Sequence, residues 1–217
     1  MQHDITKLCA DSLRSFLNDN HGIKLKSGHA HEIVAAFFGY KSKISLLADD
    51  TYPLTKLDQA EFILLNPVVS FVDQRIQNLE GLAPDFPPSY LLAEGVYSVI
   101  TNNKDFLEKI QPSFHDLAVT FAKDRLQQHI SHLGMKPTPQ WIIDVTSDTT
   151  EALTLFTVSF NYSTADGKQS RYSKIDIKFP RVAGNIGYGM PEIMPTFYSG
   201  QFRDPDYNPD FDIKSGA

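Results

Sequence analysis

Apolar positions in the first two-thirds of the chain recur every three or four residues; after Pro139 they recur every second residue. The first spacing puts apolar side chains on one stripe of a helix, the second on one face of a strand. Asp4 is placed to cap a first helix carrying Ile5, Leu8, Cys9, Leu13, Phe16 and Leu17, which the turn residues 18–22 end at Gly22. Residues 27–47 read as a helix–glycine–helix hairpin. Ile33, Val34, Phe37 and Phe38 form the first apolar face, Gly39 breaks it, and Ile44, Leu46 and Leu47 resume it.

Beyond Pro53 the pattern predicts an irregular or partly helical link to Pro67, then a helix through Val68, Val69, Val72, Ile76 and Leu79 that stops near Gly81. The proline-rich tract 82–89 is a loop whose last residues open another helix through Leu91, Leu92, Val96, Val99 and Ile100. Phe106, Leu107 and Ile110 suggest a short further turn. The longest helix spans 113–133, with Phe114, Leu117, Ala118, Phe121, Ala122, Leu126, Ile130 and Leu133 as its stripe.

Three strands follow. Trp141, Ile143 and Val145 share a face in the first, and Phe156, Val158, Phe160 and Tyr162 in the second. Asp166-Gly167 marks a hairpin turn, and Ile175, Ile177 and Phe179 alternate with Lys174, Asp176 and Lys178 in the returning strand. One more strand is expected near 196–199, and the last dozen residues, with Asp204, Asp206, Asp210 and Asp212, read as an acidic tail. The expected fold is α+β: a mostly helical amino-terminal two-thirds packed on a small antiparallel sheet formed by the carboxyl-terminal third. The expected divisions are a three-helix packet at 1–52, a helical region at 53–135, and the sheet with its Gly/Pro-rich loop and tail at 138–217, sharing one core.

Composition narrows the function without naming it. The chain has 217 residues, 41% of them hydrophobic and 21% charged, which is ordinary for a globular protein. Its net charge is −6; residues 1–135 carry 12 basic and 16 acidic groups, and residues 136–217 carry 8 and 10. Neither part has the basic excess that drives non-specific phosphate binding. A single cysteine, Cys9, precludes an internal disulfide and is read as a small buried hydrophobe. The amino terminus lacks the basic and apolar regions of a signal peptide, and no apolar run reaches the roughly 18 residues of a spanning helix, so a cytoplasmic location and no membrane partner are expected.

Residues 5–49 resemble a short helical segment described as glyoxalase-related and found in many uncharacterised bacterial proteins. The pattern is carried by an amphipathic helix ending near Gly22, then Ser27, Glu32, Val34-Ala35, Gly39-Tyr40, Ser42 and Leu46-Leu47. It departs at Ile44, where such segments usually carry an aromatic residue. The resemblance covers about a fifth of the chain and implies a small helical module of a bacterial protein. It implies no glyoxalase chemistry, because the expected strand region, 140–200, contains no histidine to ligate a metal.

The remaining polar constellations are weighed as chemistry and as plain structure. His29, His31 and Glu32 form an exposed first helical turn, since residues two apart on a helix face different ways. His129 and His132, three apart, are the alternative metal pair, and His115 beside Asp116 opens a helix. The glycines of GNIGYG at 184–189 have the wrong spacing for a dinucleotide fingerprint and are read as a tightly turned loop. No nucleophile elbow or phosphate-binding loop is present, so neither catalytic residue nor cofactor is assigned. The leading expectation is a non-enzymatic protein–protein interaction module, with Lys41, Lys43, Tyr188, Met190, Phe197 and Tyr198 as candidate contact residues. The alternative is a nucleic-acid-associated factor that uses the 28–47 hairpin as a helix-turn-helix with Lys41 and Lys43 near phosphates. A metal-dependent enzyme is the third reading.

Overall fold

The structure, a computed structural model, describes residues 4–133, 135–150, 152–164 and 170–197. It has α+β character, and the chain divides into two compact units: residues 1–114 with 180–190, and residues 115–179 with 191–217.

The first unit opens with α1 (Ile5–His21), whose end groups are satisfied as the sequence expects. The Asp4 carboxylate accepts from the backbone N–H of Thr6 and Lys7, and Gly22 closes the helix in the left-handed conformation. A short loop leads into α2 (Ser27–Phe37) and then α3 (Lys43–Leu47). Residues 33–38 are all buried, so α2 is a central helix enclosed nearly all round rather than one with a single apolar face. After a 3₁₀ turn (Leu54–Gln59) come β1 (Phe62–Leu64), α4 (Val69–Gln77), α5 (Ser89–Thr101), α6 (Lys104–Leu107) and β2 (Ile110–Gln111). α1 lies against α5 at close range: a Cβ on Gly95 would come within 2.8 Å of the Phe16 ring.

Residues 180–190 return to this unit as the end of β5 (Ser170–Ala183), a turn, and β6 (Gly187–Tyr188). β1 pairs in parallel with β2 and antiparallel with β6, in register Ile63↔Ile110 and Phe62↔Tyr188. The expectation of a purely antiparallel sheet confined to the carboxyl-terminal third is therefore corrected. The sheet is mixed, and β1 and β2 come from the helical part of the sequence, in strands of two and three residues too short to show a period.

In the second unit, α7 (Phe114–Leu133) turns Ala118, Ala122, Leu126 and Ile130 inward. β3 (Met135–Thr149) and β4 (Leu153–Thr164) run antiparallel with register shifts between residues 137 and 144. β5 neighbours β4, and it pairs antiparallel with β7 (Glu192–Phe197) in register Ile175↔Pro195. The alternation read from the sequence holds in β4 and β5, where Phe156, Val158, Phe160, Tyr162, Ile175, Ile177 and Phe179 are all buried. Phe121 of α7 packs edge-on to Phe179 at 6.1 Å, and His129 meets the Tyr162 ring at 6.2 Å. The opposite face is polar but not bare: Thr157 donates to the Asp176 carboxylate at 2.6 Å, and the Lys174 ammonium lies over Tyr172. The expected Asp166-Gly167 turn, the end of the last strand at Ser199 and the acidic tail lie outside the described residues. Among the described residues no helix is long and apolar enough to cross a membrane.

Candidate functional site

The α2–α3 hairpin lies in the first unit; α2 opens at Lys26 without a side-chain cap, while the polar groups where α2 ends and α3 begins are capped. α2 finishes in a Schellman arrangement: Gly39, at φ +78°, lets its N–H reach the Ala36 carbonyl and the Tyr40 N–H reach the Ala35 carbonyl. Three further carbonyls at that end are capped from elsewhere in the unit. The Tyr97 hydroxyl of α5 donates to Phe37 O at 3.1 Å, and the Asn185 amide donates to Phe38 O and Gly39 O at 3.1 and 3.2 Å.

α3 has only five residues, yet its amino end is fixed twice. Ser42 and Ser45 form a reciprocal capping box, each hydroxyl accepting from the other's backbone N–H at 3.1 and 2.9 Å. The Glu32 carboxylate, on α2, accepts from the Lys43 N–H at 3.1 Å and from the Arg75 guanidinium of α4. Ser45 thus stands in the third helical position because the cap needs a short hydroxyl there, although a helix-turn-helix would place a buried aliphatic at that point. Glu32 ties three helices together, and among the described residues it belongs to no cluster of potential metal ligands.

Beyond α3 a second polar knot closes the turn. The Tyr40 hydroxyl donates to Asp49 Oδ2 at 2.6 Å, and Arg181 Nη2 donates to that same oxygen at 2.9 Å and to the Tyr40 oxygen at 3.1 Å. The Arg181 Nε–H is taken by Gly184 O, and its guanidinium lies 4.6 Å from the Tyr52 ring centre. Burial alone would raise the Asp49 pKa, but the Tyr40 hydroxyl, the backbone N–H groups of Tyr52 and Thr51 and the Arg181 charge together hold it below the ordinary value. Burial and the Asp49 hydrogen bond push the Tyr40 phenol up. The phenol, the carboxylate and the guanidinium together tie the end of the hairpin to residues 181–184.

The candidate residues separate on this frame. Lys41 is exposed and Lys43 half-buried at the edge of α3. Tyr188 leaves the expected aromatic contact surface: it is 7% exposed, packs edge-on to Phe114 at 4.4 Å and donates to Asn185 O. Met190 is 61% exposed. Phe197 ends β7, and Tyr198 lies outside the described residues. The GNIGYG stretch is a tight β5–β6 hairpin turn whose Gly184 N–H donates to Tyr52 O at 2.7 Å.

Among the histidines, His115 sits 3.6 Å from Asp116 at the exposed start of α7, and His129 lies against Tyr162, with the side chain of His132 outside the described residues. His31 has its Nδ1 buried with no hydrogen-bond partner among the described residues, and burial together with the nearby Lys43 charge lowers its pKa. Among the described residues no three His, Cys, Asp or Glu side chains converge. Cys9 is fully buried and its thiol is pushed up to about 12, chiefly by desolvation.

Sequence reasoning missed what α3 presents outward. Of its five side chains only Leu46 is buried; Ile44 is 77% exposed and Leu47 59% exposed, three residues apart on one face. The sequence reading had grouped both with Leu46 in the apolar run that resumes after Gly39. No protein-family model matches the chain, and neither a curated protein nor a solved structure does.

Proposed function

We propose that this protein is a non-enzymatic binding module that engages another protein through the outward face of α3. The supporting observation is the exposed pair Ile44 and Leu47 on a helix whose one buried side chain is Leu46. A five-residue helix is not stable by propensity; the Ser42–Ser45 box, the Glu32 carboxylate and the buried Leu46 hold it. Holding two aliphatic side chains rigid in water lowers the ordering entropy that a partner must overcome. This same face speaks against the nucleic-acid reading: a recognition helix needs polar side chains aimed at base edges and more than one turn of length. The module resemblance over residues 5–49 fits this role, as a bacterial helical unit operating in the cytoplasm.

The test compares wild-type protein with Ile44→Gln and Leu47→Gln as baits in a bacterial lysate at low and high salt. A specific protein retained by the wild type and lost from both variants is the expected result. Retention that is identical for all three baits would overturn the reading.

A further inference from the structure

Resting on that reading, we propose that the α3 face is under proton control: a proton on His31 of α2 loosens the grip of α2 on the first turn of α3, so that Ile44 and Leu47 are presented firmly at neutral pH and let go in acid. Two neighbouring side chains of α2 meet the first residue of α3. The Glu32 carboxylate accepts from the Lys43 N–H at 3.1 Å, and the charge of the half-buried Lys43 acts on His31. The surroundings of His31 suit the neutral imidazole. Its Nδ1 is buried with no hydrogen-bond partner among the described residues, so an imidazolium would hold an N–H there without an acceptor. Lys43 of α3 and Arg14 of α1 oppose a positive ring, whereas Asp4, the cap of α1, and Asp11 favour one. Both carboxylates already hold other donors: Asp4 the N–H groups of Thr6 and Lys7, and Asp11 the Arg14 guanidinium at 3.3 Å. On α2 itself, Glu32 is committed to the Lys43 N–H and to Arg75 of α4. Burial and the two cations prevail, and the His31 pKa lies below its ordinary value.

Coupling between two sites is reciprocal. To the extent that Lys43 lowers the proton affinity of His31, a proton on His31 disfavours the seat of Lys43. Of the two helices that face the ring, α3 has less to hold it. α1 buries five side chains over 17 residues, and its Arg14 is fastened to Leu25 O; α3 buries Leu46 alone. The opening is therefore local to α3. Once α3 is loosened, His31 returns toward the ordinary value of about 6.5. Docking is then at full strength above that pH and weakens by up to about tenfold per pH unit below it, until the folded pKa is reached.

The experiment follows the full 217-residue chain by NMR from about pH 7.5 to about pH 5.5. It reads the titration of the His31 ring and the exchange protection of the Lys43, Leu46 and Ala48 amides, which donate to Glu32, Ser42 and Ile44. After correction for the intrinsic pH dependence of exchange, protection of these three amides should fall roughly threefold to tenfold across the range, while the α1 interior keeps its own. In His31→Gln the fall should vanish. In Lys43→Gln it should shrink, and His31 should titrate closer to its ordinary value; this variant carries the test alone if His31→Gln does not fold. A fall that persists in His31→Gln, equal loosening of α1, no fall at all, or a His31 titration indifferent to Lys43→Gln would each overturn proton control. None of these readouts needs a partner. Proton control therefore fails alone where lysate retention still depends on Ile44 and Leu47, whereas retention indifferent to both residues overturns the α3 contact reading and the controlled face with it.

Discussion

The Asn185 side-chain amide lies over Gly39, bridging the Phe38 and Gly39 carbonyls at 3.1 and 3.2 Å, and a Cβ on residue 39 would stand 2.5 Å from its nitrogen. Residues 146 apart in sequence thus make one turn. Gly39→Ala meets two separate obstacles, the φ of +78° and the amide above it, and should cost about 1–3 kcal/mol in urea unfolding. Asn185→Ala alone should cost about 1–2 kcal/mol through two freed carbonyls. The double variant should be less destabilised than the sum, because removing the amide relieves the contact while the backbone strain stays.

Loss of the Asp49 carboxylate leaves Arg181, whose side chain is 13% exposed, without its counter-charge. Asp49→Ala should cost about 2–3 kcal/mol, and Tyr40→Phe about 1–2 kcal/mol through the lost hydroxyl alone. Chemical denaturation near neutral pH checks both.

Two groups of the first unit with lowered pKa values, His31 and Asp49, act in separable stretches of the acid side of the stability profile. Asp49 has a lowered folded pKa, so its contribution is present above the ordinary carboxylate pKa and is lost as pH falls through the folded value. His31 is also lowered, so the unfolded chain takes up its proton first, and stability declines as pH drops below about 6.5 toward the folded value. His31→Gln should flatten the mildly acidic part of the stability profile, and Asp49→Asn the part below about pH 4. An unchanged slope in either variant would contradict the assignment.

Cys9 should be silent in the native protein. A buried thiol with its pKa pushed up to about 12 has almost no thiolate at neutral pH, so a disulfide reagent should label it only in denaturant. Rapid labelling of folded protein would show that α1 opens locally.

Ile44→Gln and Leu47→Gln should each change unfolding free energy by no more than about 0.5 kcal/mol, as expected for exposed positions. The same substitution at Leu46, which is 5% exposed, should cost several times more. Equal effects at all three would mean that α3 packs with a different face inward.

Local signals carried most of the helical architecture. Asp4 and Gly22 bound α1, Pro88 and Ser89 open α5, and the stripe from Ala118 to Ile130 faces inward in α7. β4 and β5 were equally legible, because alternation over six or more residues has no helical counterpart. The misses are non-local. Phe62–Leu64 and Ile110–Gln111 become strands only by pairing with each other and with Gly187–Tyr188. Lys41, Glu32 and Asp49 look alike in the sequence as exposed charges; the partners of the latter two, Arg75 and Arg181, lie 43 and 132 residues further on. The outward turn of Ile44 and Leu47 was hidden for a related reason, because helical spacing registers an apolar stripe without saying which side of it faces water.

The hairpin at 180–190 also sets a schedule for making this protein. A ribosome releases the segment that carries Glu32, Gly39 and Tyr40 long before it has synthesised Arg181 and Asn185. Until then the nascent chain holds Phe38 O and Gly39 O without their amide donor and Asp49 without its guanidinium. Translation that stops between α7 and β5 would therefore leave an unfinished amino-terminal unit, exposed to proteases and dependent on chaperones, even though all of its helices, α1 to α6, had already emerged.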